Sequence, residues 1–259
     1  MMKNTIKLLQ LTGLFLFISN TLWGQENAKE IFTRASDQLL SENMELRMEM
    51  QVKDKRGRVK EKGYEILMAR FGEVEKTRMS WEKPEQARGT TVVFTERPGE
   101  TGLIEVYTPS NGKIRKLKAT EGNMQLVGAE AQLTSITAQD PDELSFKLLD
   151  PRQVEGKEHY FLEVKNKDSQ DQARGELLIE KDSYRIVEIA VFDRTGDQTS
   201  TVKLSDFQLV DGHQNKIQPM RIVTEDIKNQ KFTDMRVLKI AARADLSEKD
   251  FVLPLEGEM

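Results

Sequence analysis

From Met44 the sequence settles into a period of two. Leu46, Met48, Met50 and Val52 alternate with Glu45, Arg47, Glu49 and Gln51. Alternate side chains of an extended strand point to opposite faces, so such a segment is a half-buried strand and does not suit a helix. The pattern recurs along the chain. After the charged turn at Arg56-Gly57 a second strand is expected from Val59 to Arg70, and after Gly72 a third from Val74 to Trp81, ended by Pro84. The β-branched run Thr90, Thr91, Val92, Val93 places a fourth over Gly89 to Glu96. Gly102 to Thr108 and Lys113 to Ala119 flank Pro109-Ser110-Asn111-Gly112, and Asn-Gly between two such runs is a hairpin signal.

Thr120 to Leu144 breaks the pattern with Gly122, Gly128 and Asp140-Pro141, and reads as a long loop with one or two short helices. Strands resume at His159 to Lys167, Gly175 to Glu180, Arg185 to Phe192 and Thr201 to Leu209. Asp211-Gly212 turns the chain into Lys216 to Asp226, and Lys231 to Ala241 is the last strand before a short turn at Ser247 to Phe251. About eleven antiparallel strands at this spacing predict a mainly β fold, a single closed or half-open barrel with no linker dividing it. Before it, Ala28, Ile31, Phe32, Ala35 and Leu39 recur at helical spacing, which predicts an amphipathic helix over Asn27 to Ser41.

The first 24 residues have the parts of a secretory signal: basic Lys3 and Lys7, an apolar stretch from Leu8 to Ile18, and small Gly24 before Gln25. The stretch falls short of the roughly 20 apolar residues of a spanning helix. Cleavage near Gly24 and export are therefore expected, leaving residues 25–259 as one domain. Its 37 basic against 43 acidic residues give a net charge of −6, which argues against nucleic acid as a partner. With no cysteine, disulfides, thiolate chemistry and lipid attachment through an N-terminal cysteine are excluded.

No residues stand out as catalytic. His159 and His213 lack helical metal-ligand spacing, and Asp140, Asp142 and Glu143 lack the loop of a calcium site and read as a helix cap. There is no nucleophile elbow or phosphate-cradling loop. An enzyme, a metal and a cofactor are not expected. The basic run Lys53, Lys55, Arg56, Arg58, Lys60 and Lys62 reads first as a solvated turn, and second as a contact for anionic headgroups or a transporter.

Period-two counting gathers Tyr64, Ile66, Met68, Met79, Trp81, Val92 and Phe94 on one side, with Met48 and Met50 beside them. They are core in a filled barrel and ligand-lining in an open one. Five of the eleven methionines, Met44, Met48, Met50, Met68 and Met79, lie on the first three strands, and thioether side chains repack readily around varied apolar ligands.

The order of these pieces resembles the outer-membrane lipoprotein-sorting (LolA-like) family of periplasmic carriers, in its uncharacterised Gram-negative branch. The similarity is carried by Pro84-x-x-x-Arg88-Gly89-Thr90 before an apolar strand, by Val106-Tyr107-Thr108-Pro109 followed by the basic pair Arg115-Lys116 and a Gly-rich element at Met124 to Gly128, and by Asp211-Gly212 with Ile217-Gln218-Pro219. The resemblance implies a half-open antiparallel β-barrel with a helical or loop lid. Its apolar cavity would hold the acyl chains of a lipoprotein or lipid passing from an inner-membrane transporter to an outer-membrane acceptor, and a monomer is expected. It also implies an arginine holding the lid through backbone carbonyls, for which Arg78 and Arg115 are candidates, with Met124 and Leu126 in the lid itself. An accessory interaction module of the cell envelope with a filled barrel, and a hydrolase using unrecognised carboxylates, remain as alternatives.

Overall fold

A computed structural model describes residues 27–39, 43–120, 141–167, 174–213 and 215–253. The expected leader, with its cleavage point at Gly24, and the expected lid, with Met124 and Leu126, lie outside the described residues. Helix α1 (Ala28–Ser36) precedes β1 (Met44–Lys53), β2 (Val59–Phe71), β3 (Val74–Lys83), β4 (Thr91–Glu96), β5 (Leu103–Thr108) and β6 (Lys113–Lys118). Further along come β7 (Leu144–Val154), β8 (Lys157–Asn166), β9 (Arg174–Glu180), β10 (Ile186–Phe192), β11 (Gln198–Leu209), β12 (Ile217–Asp226) and β13 (Lys231–Ala242). A 3-10 turn at Glu248–Phe251 follows.

These form one 13-stranded antiparallel sheet in the order β6-β5-β4-β3-β2-β1-β13-β12-β11-β10-β9-β8-β7. The described strands exceed the expected eleven or so, chiefly because β7 falls between the expected loop and the strand expected from His159, where the sequence reading places no element. β7 contains Asp150-Pro151, and its pairing with β8 shifts register between Leu149 and Arg152. Proline is tolerated at a bulge in an outer strand, where its missing N–H costs no ladder bond. Helix α1 is shorter than expected: it ends at Ser36, and Leu39 forms a parallel bridge to Ile217.

The sheet is two meanders joined at one seam. β1 to β6 and β7 to β13 each run through consecutive hairpins, and β1 pairs with β13 from Met44↔Ala242 to Lys53↔Phe232. Among the described residues β6 and β7 are outer strands, so the sheet is not closed. Its interior is one apolar cluster holding Ile31 and Phe32 of α1, Met48 and Met50 of β1, Ile104 of β5, Leu162 of β8, Leu177 of β9 and Met235 of β13. Strands from both meanders thus wrap a shared interior with α1 inside it.

On the outer face, Ala69, Val93 and Tyr107 pack against Phe251 and Leu253 of the C-terminal segment. This explains why Thr91, Val92, Val93 and Phe94 are all buried in succession: β4 is covered on both faces.

The seam carries its own electrostatic lock. The Glu45 carboxylate accepts hydrogen bonds from Lys239 Nζ at 2.6 Å and from Arg243, whose other guanidinium nitrogens reach Asp245 at 2.8 and 2.9 Å. The Lys239 hydrogen bond, joined by Arg243 and opposed by burial, holds the Glu45 carboxyl below its ordinary value of 4.5. A lowered folded-state pKa adds stability that is complete above about pH 4.5 and is lost as pH falls through the folded value. Glu45→Gln is expected to cost about 1–2 kcal/mol at pH 7, modest because Lys239 stands half in water. Urea unfolding of variant and parent is expected to converge toward pH 3, and a difference that persists unchanged there would contradict the charged lock.

Candidate functional site: the interior apolar face

Strand register builds the face in rows. Met48 faces Tyr64, which faces Trp81; their rings lie 5.1 Å apart, edge to face. Ile66, Met79, Val92 and Val106 make the next row, and Met68, Thr77, Phe94 and Ile104 the third. Met50 sits one pleat further along β1 from Met48. The whole expected set therefore shares one cluster: Met48, Met50, Tyr64, Ile66, Met79, Val92 and Phe94 are buried, and Met68 and Trp81 are half-buried against it. Such half-exposed apolar groups are the ones a guest would touch.

Sequence reasoning missed the second half of this face. Leu162, Val164, Leu177 and Ile179 of β8 and β9 belong to the same cluster, edged by half-buried Phe146, Leu148 and Tyr160. Period-two counting over β8 and β9 would have found the first four, whereas Phe146 and Leu148 lie in β7, for which the sequence reading places no strand.

Helix α1 is seated by sequence-local chemistry. Asn27 Oδ1 accepts from Glu30 N at 2.9 Å and Glu30 Oε2 accepts from Asn27 N at 3.1 Å, a reciprocal cap that fixes the helix start. Its apolar side then buries Ala28, Ile31, Phe32 and Ala35, with Phe32 4.9 Å from the Phe146 ring and the Arg34 guanidinium 3.7 Å above Tyr184. Lys29 pairs with Asp142, so that carboxylate serves an ion pair to α1. The opposite side of α1, with Asn27, Lys29, Glu30, Thr33, Arg34, Asp37 and Gln38, borders an open cavity of about 570 Å³. None of the expected cavity residues lines it.

The charged candidates fall elsewhere. Arg78 lies on the outer face, where Nη1 donates to the carbonyl oxygen of Asp250 at 3.0 Å. It holds a short helical turn through a backbone carbonyl, but that turn is the C-terminal one, away from the interior. Arg115 is exposed on outer strand β6, in register with Val106 and so on the interior side at the lip of the sheet. His159 is buried, its Nδ1 3.0 Å from the Lys157 carbonyl oxygen, and His213 is exposed in its turn. Among the described residues no three His, Asp or Glu are placed to share a metal ion. No described helix is long and apolar enough to cross a membrane.

A protein-family model described as "-like: Uncharacterized protein" matches residues 73–253, more than half of the chain. The chain belongs to that uncharacterised family. No curated protein matches it. Among solved structures, members of this fold include a putative outer membrane lipoprotein-sorting protein domain from Vibrio parahaemolyticus. It aligns with TM-score 0.70 and 16% identity over 86% of this chain and 95% of that one. A DUF1329 family protein from Desulfovibrio piger aligns with TM-score 0.71 and 17% identity over 87% and 95%. The LolA superfamily protein NE2245 from Nitrosomonas europaea aligns with TM-score 0.66 and 18% identity over 88% and 99%. The fold of this chain is LolA-like.

Proposed function

We propose that the chain is a periplasmic carrier of a Gram-negative cell, exported with its leader removed near Gly24. It holds the acyl chains of a lipoprotein or lipid against its interior face for transfer toward the outer membrane. The observation that carries this reading is the continuity of that face: one apolar cluster extends from Leu117 on β6 to Leu144 on β7, the two outer strands of an unclosed sheet. A guest entering between them breaks no ladder hydrogen bond. Each methylene it withdraws from water is worth about 0.8 kcal/mol, so a carrier of this kind needs apolar area and no chemistry. Half-buried Met68 and Trp81, with the methionines around them, supply a wall that adjusts to variable chains.

A second reading, an accessory interaction module of the envelope, is favoured by one feature. Ile31 and Phe32 of α1 are fully buried in the interior and fill space that a guest would need.

Native mass spectrometry of protein recovered from the periplasm without detergent separates the two. The carrier reading expects a stoichiometric acyl-chain adduct that is lost in Trp81→Glu, with the far-ultraviolet circular dichroism of the sheet unchanged. Protein that emerges empty and also ignores added phospholipid and lipopeptide would establish the interaction module instead.

A further inference from the structure

The register of the seam brings two hairpin tips together. Lys53 faces Val59 within the β1–β2 hairpin and Phe232 across the β1–β13 seam, so the β1–β2 and β12–β13 tips stand side by side at one end of the sheet. Three large apolar side chains are exposed there: Val59 at 56%, Ile227 at 43% and Phe232 at 42%. Around them stand the exposed cations Lys53, Lys55, Arg56, Arg58, Lys60 and Lys228.

Two acids of the tips, Asp54 and Asp226, are engaged by their own turns, whereas Glu61 and Glu225, the latter opposite Phe232, are exposed. Asp54 accepts from the backbone N–H groups of Arg56 and Arg58 at 2.9 and 3.0 Å and from Arg58 Nε at 2.7 Å. Asp226 accepts from the Asn229 backbone N–H at 2.9 Å and its side-chain amide at 2.8 Å. Both carboxylates are thus engaged in building their turns. Lys55 and Arg56 form no ion pair among the described residues.

We propose that these paired tips dock the protein on an anionic lipid surface. Cations interleaved with exposed apolar groups match such a surface: the ammonium and guanidinium groups meet phosphate while Val59, Ile227 and Phe232 enter the headgroup boundary. The chain as a whole carries a net charge of −4, so the rest of the molecule is repelled and the tips are oriented inward. The interior row of β2 also leads to this end. Met68, Ile66 and Tyr64 are followed at the same spacing by Lys62 opposite Met50 and Lys60 opposite Val52. The apolar interior therefore gives way to basic side chains within a few pleats of the docked surface. That last point rests on the carrier reading, whereas docking itself does not.

The test is flotation of the protein as recovered from the periplasm with vesicles of phosphatidylcholine alone or with 30% phosphatidylglycerol, at low and high salt. Binding is expected only to the anionic vesicles and is expected to weaken with salt. Lys55→Glu with Arg56→Glu should lower partitioning by about tenfold or more, and Ile227→Ser with Phe232→Ser should remove the fraction that survives high salt. Both pairs lie on exposed tips, and circular dichroism checks that they fold. Binding equal in the variants, or none to anionic vesicles, overturns the inference, and the second result would leave the tips as a surface for an acidic protein. A protein that docks through its tips yet yields no acyl adduct keeps this inference and loses the carrier reading.

Discussion

Phe32→Ala is expected to lower the free energy of unfolding by about 3–5 kcal/mol, read as a shifted urea midpoint at constant slope. The Phe32 ring is fully buried and 4.9 Å from that of Phe146. Its helix is nine residues long, too short to hold its shape alone in water, so the stability of α1 comes from the face it seats in the sheet. Phe146→Ala in a double-mutant cycle should return about 0.5–1.5 kcal/mol of coupling for the ring pair. A Phe32→Ala loss below about 1 kcal/mol would mean that the interior closes around the gap, and α1 would then be a poor wall for any guest.

Phe251→Ala is expected to cost about 3 kcal/mol, near the low end for a buried aromatic, because a chain-terminal turn relieves part of the loss by peeling away. Phe251 is almost fully buried, edge-on to Phe71 at 5.6 Å, and covers Val93, Ala69 and Tyr107 on the outer face. Arg78→Met tests the same attachment from the other side. It removes the hydrogen bond to the Asp250 carbonyl oxygen while leaving the ring contact, so its effect should be the smaller of the two. Hydrogen exchange at Val93 should rise in both variants. Unchanged exchange in Phe251→Ala would show that the turn does not protect β4.

The sequence made the strands of the first meander legible because one face is wet: Leu46, Met48 and Met50 alternate with charged residues that remain in solvent. Hairpins were legible where glycine was needed, as at Gly112 and Gly212, whose φ angles are 60° and 81°. β7 was not, because Asp150-Pro151 reads as a break unless the strand is known to lie at a sheet edge, and edge position is a property of the whole fold. The helix was overextended for a related reason. Leu39 continues the helical spacing, yet its bridge to Ile217 draws it into the sheet.

Within the candidate site, grouping Met48, Tyr64, Trp81 and their neighbours needed only strand parity, which the register bears out. The role of Arg78 needed more. A positive charge inside a strand signals a partner on the outer face, but only the folded chain shows that the partner is its own C-terminal turn.

The pairing of β1 with β13 also governs when the protein is able to fold. Among the described residues every other ladder joins strands that follow one another in the chain, but residues 44–53 must wait for residues 231–242. Hairpins of either meander form from local contacts as soon as they are made, whereas the seam closes the longest loop among the described strand pairings and comes last. A chain emerging from its N-terminus therefore holds that edge of β1 open until residues 231–242 are available, and such edges recruit other chains. Truncation before residue 231 removes the ladder that joins the two meanders and leaves them held only by the apolar interior they share and by α1.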